Sequence, residues 1–253
     1  MVEIKNLTVK YKNSETDAVR GVSFTLEKGS FSALVGESGS GKSTIISAAL
    51  GLLPQGTFVS GEILYRGVNI LGAQESELRK YRWKELALVP QGALNSFTPV
   101  LTIGRHIEEV LAAHLKISGK EASEKITELL EETGLPKETA KKYPHELSGG
   151  QKQRAAIALA LACSPSMLFA DEPTTALDVV TQAGILKLLM RLCAEKSLTI
   201  LLVTHDLPMA ASICGKLLVM KDGALIETGT PRQIIENPQA EHTKALVRAI
   251  LRG

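Results

Sequence analysis

The sequence predicts an α/β fold built on a parallel sheet, and three short apolar runs are the main observation behind this prediction. The runs lie at Phe31–Val35, Met167–Ala170 and Thr199–Thr204. Because apolar and polar residues do not alternate within them, each run indicates a strand covered on both faces, as in parallel sheets. Each run also leads into a loop that contains Gly, Asp, Glu or His. Open α/β sheets bind their ligands at such loops.

Helical patterns accompany these strands. One, at Ser43–Leu53, follows the first run, and another, at Leu186–Ala194, lies between the second and third runs. Residues 102–161 differ because they contain three helical stretches, TIGRHIEEVLAAHLKI, KEASEKITELLEETG and SGGQKQRAAIALALA. The first two place apolar residues three and four positions apart, and Gly119 and Gly134 are the predicted stops. A helical insertion therefore interrupts the α/β core.

The two ends of the chain add β-structure and a short helical tail. The N-terminal MVEIKNLTVKYK alternates apolar and polar residues and carries charges, so it indicates a strand and not a signal peptide. LLVMKDGALIETG, near the other end, predicts a hairpin that turns at Asp222-Gly223.

Composition and charge narrow the function classes. A chain of 253 residues can bury a sizeable core as one large domain or two small ones. Its net charge of +2 gives no electrostatic case for nucleic-acid binding. No run approaches the ~18 apolar residues of a spanning helix, which does not exclude docking onto a membrane protein.

The three cysteines, Cys163, Cys193 and Cys214, stand singly inside apolar stretches. This placement favours small core residues over a metal site or a disulfide, because no CxxC or Cys/His spacing occurs. Such usage suits a reducing compartment.

The stretch GESGSGKST, residues 36–44, fits the pattern GxxxxGK[ST] between an apolar strand and an apolar helix. Glycines let the backbone wrap closely and aim N–H groups at phosphate oxygens, and the helix N-terminus adds its positive dipole end. Lys42 can reach the β- and γ-phosphates, and the Ser43 hydroxyl can ligate Mg²⁺. A chance match is the alternative, which the strand-before and helix-after context disfavours. The loop predicts a nucleoside triphosphate site.

Polar side chains at the ends of other apolar runs fit the same chemistry. Asp171 and Glu172 end SMLFADEP, and adjacent strand residues point in different directions. Asp171 therefore suits the Mg²⁺ hydration shell and Glu172 the water that attacks the γ-phosphate, although a solvated pair before a turn is the alternative. His205, in LLVTHD, is either structural or a γ-phosphate contact. Gln91, in LALVPQG, can accept from Mg²⁺-bound water.

A second glycine-rich loop opens a helix in ELSGGQKQR, residues 146–154. Ser148 is the predicted N-cap, and a plain capped helix start is one interpretation. Two glycines, however, cost helix stability, about 1 kcal/mol each inside a helix. Bare N–H groups at a helix N-terminus suit an anion. Because the first loop already wraps the phosphates of one nucleotide, a phosphate bound to another molecule is the more natural ligand.

The ordered set GESGSGKST, VPQ, LSGGQ, LFADEP, TALD and VTHD resembles the ATP-binding cassette (ABC) ATPase family over essentially the whole chain. The resemblance implies an α/β P-loop NTPase (RecA-like) core with a parallel sheet, an N-terminal antiparallel β subdomain and an inserted α-helical subdomain. It also implies one domain, in which residues 1–91 and 162–230 form the core with the β subdomain. Residues 92–161 would then be the helical subdomain, and residues 231–253 a helical tail.

The family further implies a head-to-tail dimer, in which each ATP lies between the phosphate loop of one subunit and the LSGGQ of the other. Tyr11 would stack on adenine, and Ser43, Gln91 and Asp171 would lie at Mg²⁺. Glu172 would be the general base, His205 a γ-phosphate contact, and Asp178 of TALD an interface residue. The phosphate-binding residues would be Gly36, Glu37, Ser38, Gly39, Ser40, Gly41, Lys42, Ser43 and Thr44. The residues serving the partner's ATP would be Ser148, Gly149, Gly150 and Gln151.

Within the family, the chain resembles the ATPases of oligopeptide, dipeptide and nickel importers. YPHELSGGQKQR is similar to that group's lead-in to its signature, and GALNSFTPVLTIGRHI matches the length and ending of a DPMTSLNPVLTIGEQI-type segment. The second segment departs after Gln91 and at Phe97-Thr98. The tail NPQAEHTKAL is similar to NPxHPYTKAL, with Ala240-Glu241-His242 replacing His-Pro-Tyr. With no cysteine beyond Cys214, we expect no iron–sulfur cluster.

These resemblances imply a second cassette, identical or paralogous, two membrane-spanning permease subunits and an extracytoplasmic solute-binding protein. They place the protein peripherally on the cytoplasmic face of the cell (inner) membrane, with ATP and Mg²⁺ as cofactors and no nucleic-acid partner. The alternatives are an ABC exporter, a non-transport ABC ATPase, and a P-loop kinase or regulatory module. LSGGQ and the Glu172–His205 pair argue against the last.

Overall fold

The computed structural model describes residues 1–93 and 96–250. Leu94 and Asn95, in the predicted segment after Gln91, and residues 251–253, at the end of the predicted tail, lie outside the described residues. The chain divides into two compact units, one formed by Met1–Arg79 with Thr199–Gly253 and the other by Lys80–Leu198.

The described residues form ten strands and nine α-helices. The strands are β1 (Val2–Lys10), β2 (Val19–Leu26), β3 (Phe31–Val35), β4 (Phe58–Tyr65), β5 (Val68–Asn69), β6 (Leu86–Val89), β7 (Met167–Asp171), β8 (Thr199–Thr204), β9 (Lys216–Lys221) and β10 (Ala224–Gly229). The helices are α1 (Lys42–Ala49), α2 (Glu75–Tyr81), α3 (Ile103–Leu115), α4 (Gly119–Glu132), α5 (Gly149–Ala160), α6 (Val179–Lys196), α7 (Leu207–Ile213), α8 (Pro231–Glu236) and α9 (Glu241–Ile250).

In the first unit, an antiparallel sheet has the strand order β2-β1-β4-β5. β1 buries Val2 and Ile4, then Leu7 and Val9, so its apolar alternation slips by one residue. A register shift against both neighbours absorbs the slip, and Asn6 there takes a φ of 49°. Asparagine tolerates this left-handed conformation, and a bulge of this kind lets both halves of the strand bury their apolar side chains. Gly61 lies opposite, where a Cβ would come within 2.5 Å of the Asn6 carbonyl oxygen.

The same unit contains four further strands in the order β10-β9-β3-β8. β3 pairs parallel with β8 on one side and with β9 on the other, and every residue of β3 and β8 is buried. The predicted strands at Phe31–Val35 and Thr199–Thr204 are confirmed to the residue. The predicted hairpin is confirmed as well, since β9 and β10 are antiparallel and turn at Asp222-Gly223, both with positive φ.

In the second unit, β6 pairs parallel with β7, with Leu86 opposite Met167 and Val89 opposite Ala170. Helices α3 and α4 pack on each other and on α5, which in turn packs on α6. The predicted helical residues 102–161 lie entirely within this unit. Cys163, Cys193 and Cys214 are buried and not disulfide-bonded, as expected for core residues.

Three predicted helix boundaries are wrong. The helix predicted at Ser43–Leu53 ends four residues earlier, at Ala49, with Leu50 as its C-cap. Gly119 does not stop the first inserted helix, because α3 ends at Leu115 with Lys116 in the left-handed conformation, and Gly119 begins α4. The helix predicted at Leu186–Ala194 begins seven residues earlier, at Val179, behind the N-cap Asp178. Gly134 does follow the end of α4 with a φ of 74°. No helix among the described residues is long and apolar enough to cross a membrane.

Candidate functional site

The loop at residues 36–44 joins β3 to α1 and is fixed by close backbone contacts. The Gly36 N–H donates to the Thr204 carbonyl at 3.4 Å, and the Ser40 carbonyl accepts from the Gly223 N–H at 3.2 Å. A Cβ on Gly36 would lie 2.4 Å from the Met220 carbonyl oxygen. Gly41 has a φ of 97°, and a Cβ there would lie 2.2 Å from the Ala18 carbonyl oxygen. These glycines are therefore required by packing as well as by the turn.

Lys42 is 5% exposed, and its ammonium group bonds within the loop. Its Nζ donates to the carbonyl oxygens of Gly36 and Glu37, at 2.7 Å each, and to the Ser40 hydroxyl at 3.3 Å. The N-cap of α1 is Gly41, so no side chain caps the helix N-terminus. A buried ammonium group beside a helix N-terminus without a side-chain cap is the donor set that suits phosphate.

Two further predicted residues contact or follow this part of the first unit. The Tyr11 hydroxyl lies 3.0 Å from the Thr44 hydroxyl, which ties the residue after β1 to the first turn of α1. His205 is exposed directly after β8. The next residue, Asp206, caps α7 by accepting from the Met209 N–H at 2.9 Å.

In the second unit, β7 ends on the predicted carboxylates. Asp171 is 7% exposed, and Glu172 has a φ of 45°, which is uncommon outside glycine. The Glu172 Oε2 atom accepts from the Thr175 hydroxyl at 2.9 Å and from the Gln91 Nε2 at 3.4 Å. The structure thus brings Gln91 to Glu172. Carboxylate and amide oxygens, such as those of Asp171 and Gln91, are of the kind that Mg²⁺ takes as ligands.

The second glycine-rich loop begins α5 with a reciprocal cap. The Ser148 hydroxyl accepts from the Gln151 N–H at 3.3 Å, and the Gln151 Oε1 accepts from the Ser148 N–H at 3.0 Å. The predicted N-cap is confirmed. Within the part of the chain that the structure describes, this cap provides side-chain acceptors for the Gln151 and Ser148 N–H groups and none for those of Gly149 and Gly150.

The two glycines also have a packing role that sequence reasoning missed. A Cβ on Gly150 would lie 2.5 Å from Cγ2 of Thr181, and one on Gly149 would lie 3.2 Å from Cδ2 of Leu177. The first turn of α5 therefore packs tightly against the turn that leads into α6. No local signal in the sequence indicates this contact, because 31 positions separate Gly150 from Thr181.

Asp178 caps α6 through the same threonine. Its Oδ1 accepts from the Thr181 N–H at 3.0 Å, and its Oδ2 accepts from the Thr181 hydroxyl at 2.6 Å. These bonds hold the pKa of the Asp178 carboxyl below its usual value. Val179 and Val180, which follow, are 80% and 82% exposed. Thr181 thus joins the TALD turn to the LSGGQ loop within one unit.

The fold and these loops define the class of the protein as a P-loop nucleoside triphosphatase with the cassette arrangement of motifs. A family model described as "ABC transporter" matches residues 19–175, and the chain belongs to this family. It is therefore an ATP-binding ABC ATPase, as its sequence motifs predict.

Relatives and solved structures agree with this membership. The chain is 41% identical to the oligopeptide transport ATP-binding protein OppD of Bacillus subtilis (strain 168), over 99% of this chain and 72% of the relative. It is 38% identical to the metal-staphylopine import system ATP-binding protein CntD of Staphylococcus aureus (strain NCTC 8325 / PS 47), over 98% of this chain and 92% of that relative. A dimeric post-hydrolysis structure of the ATP-binding cassette MJ0796, bound to ADP and Pi, has a TM-score of 0.81. The MJ0796 chain is 33% identical to this chain, and the match covers 92% of this chain and 99% of the MJ0796 chain.

Proposed function

We propose that this chain hydrolyses ATP to drive an importer of peptides, nickel or a related small solute. The names of its relatives support this proposal, since one belongs to oligopeptide transport and the other to metal-staphylopine import. The segments after Gln91 and after Asn237 favour an importer over the exporter alternative. A non-transport ABC ATPase is disfavoured because the net charge is only +2, and because the segment from Gly41 to Ser148 is too short for a long coiled-coil arm.

In this proposal, the loop at residues 36–44 binds the ATP phosphates, and Tyr11 stacks on adenine. Ser43, Gln91 and Asp171 would hold Mg²⁺, which supplies positive charge to the phosphate oxygens. His205 contacts the γ-phosphate. The partner cassette in a head-to-tail dimer receives the LSGGQ loop of this chain, where the N–H groups of Gly149 and Gly150 donate to its nucleotide. The dimeric MJ0796 cassette supports this arrangement.

The observation that carries the proposal is the contact between Gln91 and Glu172. Glu172 is the general base that takes the proton of the attacking water, and its Oε2 accepts from Gln91 at 3.4 Å. Gln91 begins the segment that leads to α3. The proposed base is thus hydrogen-bonded to the start of that segment, and a movement of Gln91 would change this bond.

We assign the docking of the membrane subunits to the far end of the same segment. A cavity of about 490 Å³ lies between the N-terminal turn of α3, the N-terminal half of α4 and the 3₁₀ turn Lys137–Lys141. Its lining carries charges of both signs, including Arg105, Glu108 and Lys141. We propose that it receives a cytoplasmic helix of a permease subunit, on the cytoplasmic face of the cell membrane. A solute-binding protein would deliver the solute from outside.

Replacing Glu172 tests the role of the base. We expect Glu172→Gln to bind ATP normally and to hydrolyse it about 10²–10⁴ times more slowly, because the amide cannot accept the proton. The slow variant should also accumulate as an ATP-bound dimer in size-exclusion chromatography. Glu236→Gln is the matched control, since Glu236 is an exposed partner of Arg232 on α8. Near-normal turnover of Glu172→Gln would remove Glu172 from this role.

Identifying the solute requires the assembled system. We expect the chain to copurify with two permease subunits and a solute-binding protein, from which the bound solute is identified by mass spectrometry. A peptide, nickel or a metal chelate would support the importer assignment. A permease complex that exports its solute from inverted vesicles would overturn it.

A further inference from the structure

The segment that leads from Gln91 to α3 is held at its described end by one imidazole. The Thr98 N–H donates to Nε2 of His106 at 3.0 Å. Nδ1 of the same ring lies 2.8 Å from the Thr102 carbonyl oxygen. The Phe97 ring meets the imidazole edge-on, with 5.1 Å between the ring centroids. Three residues of the segment thus converge on the side chain of His106.

These contacts specify one state of the ring. A carbonyl oxygen can only accept a hydrogen bond. Nδ1 of His106 therefore has to carry the hydrogen that it donates to the Thr102 carbonyl. A backbone N–H only donates, so Nε2 has to present its lone pair to Thr98. Both bonds therefore form only with a neutral imidazole protonated on Nδ1. A second proton on Nε2 would face the Thr98 N–H and remove that bond. Histidine is the side chain that gains such a proton near neutral pH.

No ion pair with the His106 ring occurs among the residues that the structure describes, so a protonated ring has no counter-charge held against it there. On its own helix, Arg105 binds Glu108 at 3.0 Å and Glu109 at 3.3 Å. The elements packed against α3 are α4, the 3₁₀ turn Lys137–Lys141 and α5. Their charged side chains are Lys120, Glu121, Glu124, Lys125, Glu128, Glu131, Glu132, Lys137, Glu138, Lys141, Lys152 and Arg154.

We propose that His106 is a positioning residue, whose neutral ring clamps the segment from Phe97 to Thr102 and whose protonation releases it. Thr102 also lines the cavity at the start of α3. The clamp therefore sets the shape of one wall of that cavity. The consequence for coupling rests on the proposed docking of a permease helix there, whereas the clamp itself does not.

Nuclear magnetic resonance of the full chain tests the clamp directly. Long-range ¹H–¹⁵N correlation at pH 8 should show His106 with a hydrogen on Nδ1 and a bare Nε2. The protection factor of the Thr98 amide should fall about tenfold between pH 8 and pH 5.5, the order expected for one lost hydrogen bond. The Leu111 amide, in the same helix, is the internal control and should keep its protection.

Two variants distinguish loss of the His106 hydrogen bonds from general destabilisation of the protein. His106→Gln supplies an amide donor and a carbonyl acceptor that do not titrate, so Thr98 protection should become independent of pH. His106→Leu supplies neither and should lower the protection at every pH. Both should keep the ATPase rate of the isolated chain. A hydrogen on Nε2 at pH 8, or equal Thr98 protection in wild type and His106→Leu, would overturn the proposal. If the wild-type chain showed no ATPase activity but the Thr98 amide behaved as expected, the result would count against the proposed function and leave the clamp intact.

Discussion

Gly150 lies where the LSGGQ loop packs against the first turn of α6, and the contact leaves no room for a side chain. A Cβ there would lie 2.5 Å from Cγ2 of Thr181, whereas the Thr181 hydroxyl is bound to Asp178 at 2.6 Å. Thr181 cannot turn its methyl group away without losing that bond. The packing of the LSGGQ loop and the cap of α6 are therefore linked through the rotamer of one threonine.

We expect Gly150→Ala to destabilise the protein by about 1–3 kcal/mol, the range for overpacking of a tight contact. Adding Thr181→Ser should recover most of the loss, because serine lacks Cγ2 and keeps the hydroxyl. Urea unfolding of the single and double variants measures both effects. Gly149→Ala is the matched control, since its nearest contact is the mobile end of Leu177 at 3.2 Å. If the double variant is no more stable than Gly150→Ala, the Thr181 contact is not the cause.

Helix α5 illustrates at the scale of an element how a cap and a binding surface share one residue. Ser148 and Gln151 satisfy each other reciprocally, which stabilises the helix without a ligand. The glycine N–H groups beside them face the same end of the helix. Stability and nucleotide recognition therefore meet at the first turn of α5.

Ser148→Asp and Ser148→Ala should separate the two roles. Aspartate is as good an N-cap as serine, so its variant should keep the unfolding free energy, whereas alanine should lower it by about 1 kcal/mol. Only the aspartate brings a negative charge to the proposed phosphate of the partner. We therefore expect Ser148→Asp to lose ATP-dependent dimerisation in the Glu172→Gln background, measured by light scattering, while Ser148→Ala retains it. Dimerisation of both variants alike would contradict the proposed contact.

At the scale of the whole molecule, the predicted ATP-binding residues are distributed over both compact units. The phosphate loop, Tyr11 and His205 belong to the first unit, and Gln91, Glu172 and the LSGGQ loop belong to the second. The buried cysteines are distributed similarly, with Cys214 in the first unit and Cys163 and Cys193 in the second. Burial raises the pKa of the Cys163 thiol to about 11, so it has little thiolate at pH 8.

Thiol labelling can therefore report whether ATP stabilises the units together. A ligand at 100 times its dissociation constant stabilises the folded state by about 2.7 kcal/mol, equivalent to roughly 100-fold slower labelling through the open state. With MgATP and the Glu172→Gln variant, we expect all three cysteines to slow to this degree in mass-spectrometric labelling at pH 8. Protection confined to Cys214 would show that nucleotide stabilises the first unit alone. Lys42→Ala, which should not bind ATP, provides the baseline.

How far the sequence predicts the structure depends on the range of the interactions. The strands at Phe31–Val35 and Thr199–Thr204 and the hairpin at Asp222-Gly223 follow from local patterns of burial and turn chemistry, and they are confirmed. The start of α6 was missed because its first turn is exposed and shows no apolar period. The stop of α3 was missed because Lys116, and not a glycine, takes the left-handed position.

The residues of the candidate site also differ in whether the sequence can predict them. The motifs named Glu172 and Ser148, but not Thr175 or Thr181, whose roles depend on hydrogen bonds that short polar residues form in many loops. The clamp at His106 was equally invisible, since a histidine in a helix has no pattern that specifies its partners. The roles of the predicted residues at ATP and Mg²⁺ stay predictions.

The bonds of Lys42 have a consequence for the speed and selectivity of nucleotide capture. Immobilising a free lysine side chain costs up to about 2 kcal/mol of conformational entropy. In this protein the carbonyl groups of Gly36 and Glu37 already restrict the ammonium group. That entropy is lost during folding, so an arriving phosphate meets a charge in a defined position. Because the three N–H groups of the ammonium already donate to Gly36, Glu37 and Ser40, the phosphate binds by replacing at least one of these acceptors. A ligand that carries no negative charge gains no ion pair from this ammonium group.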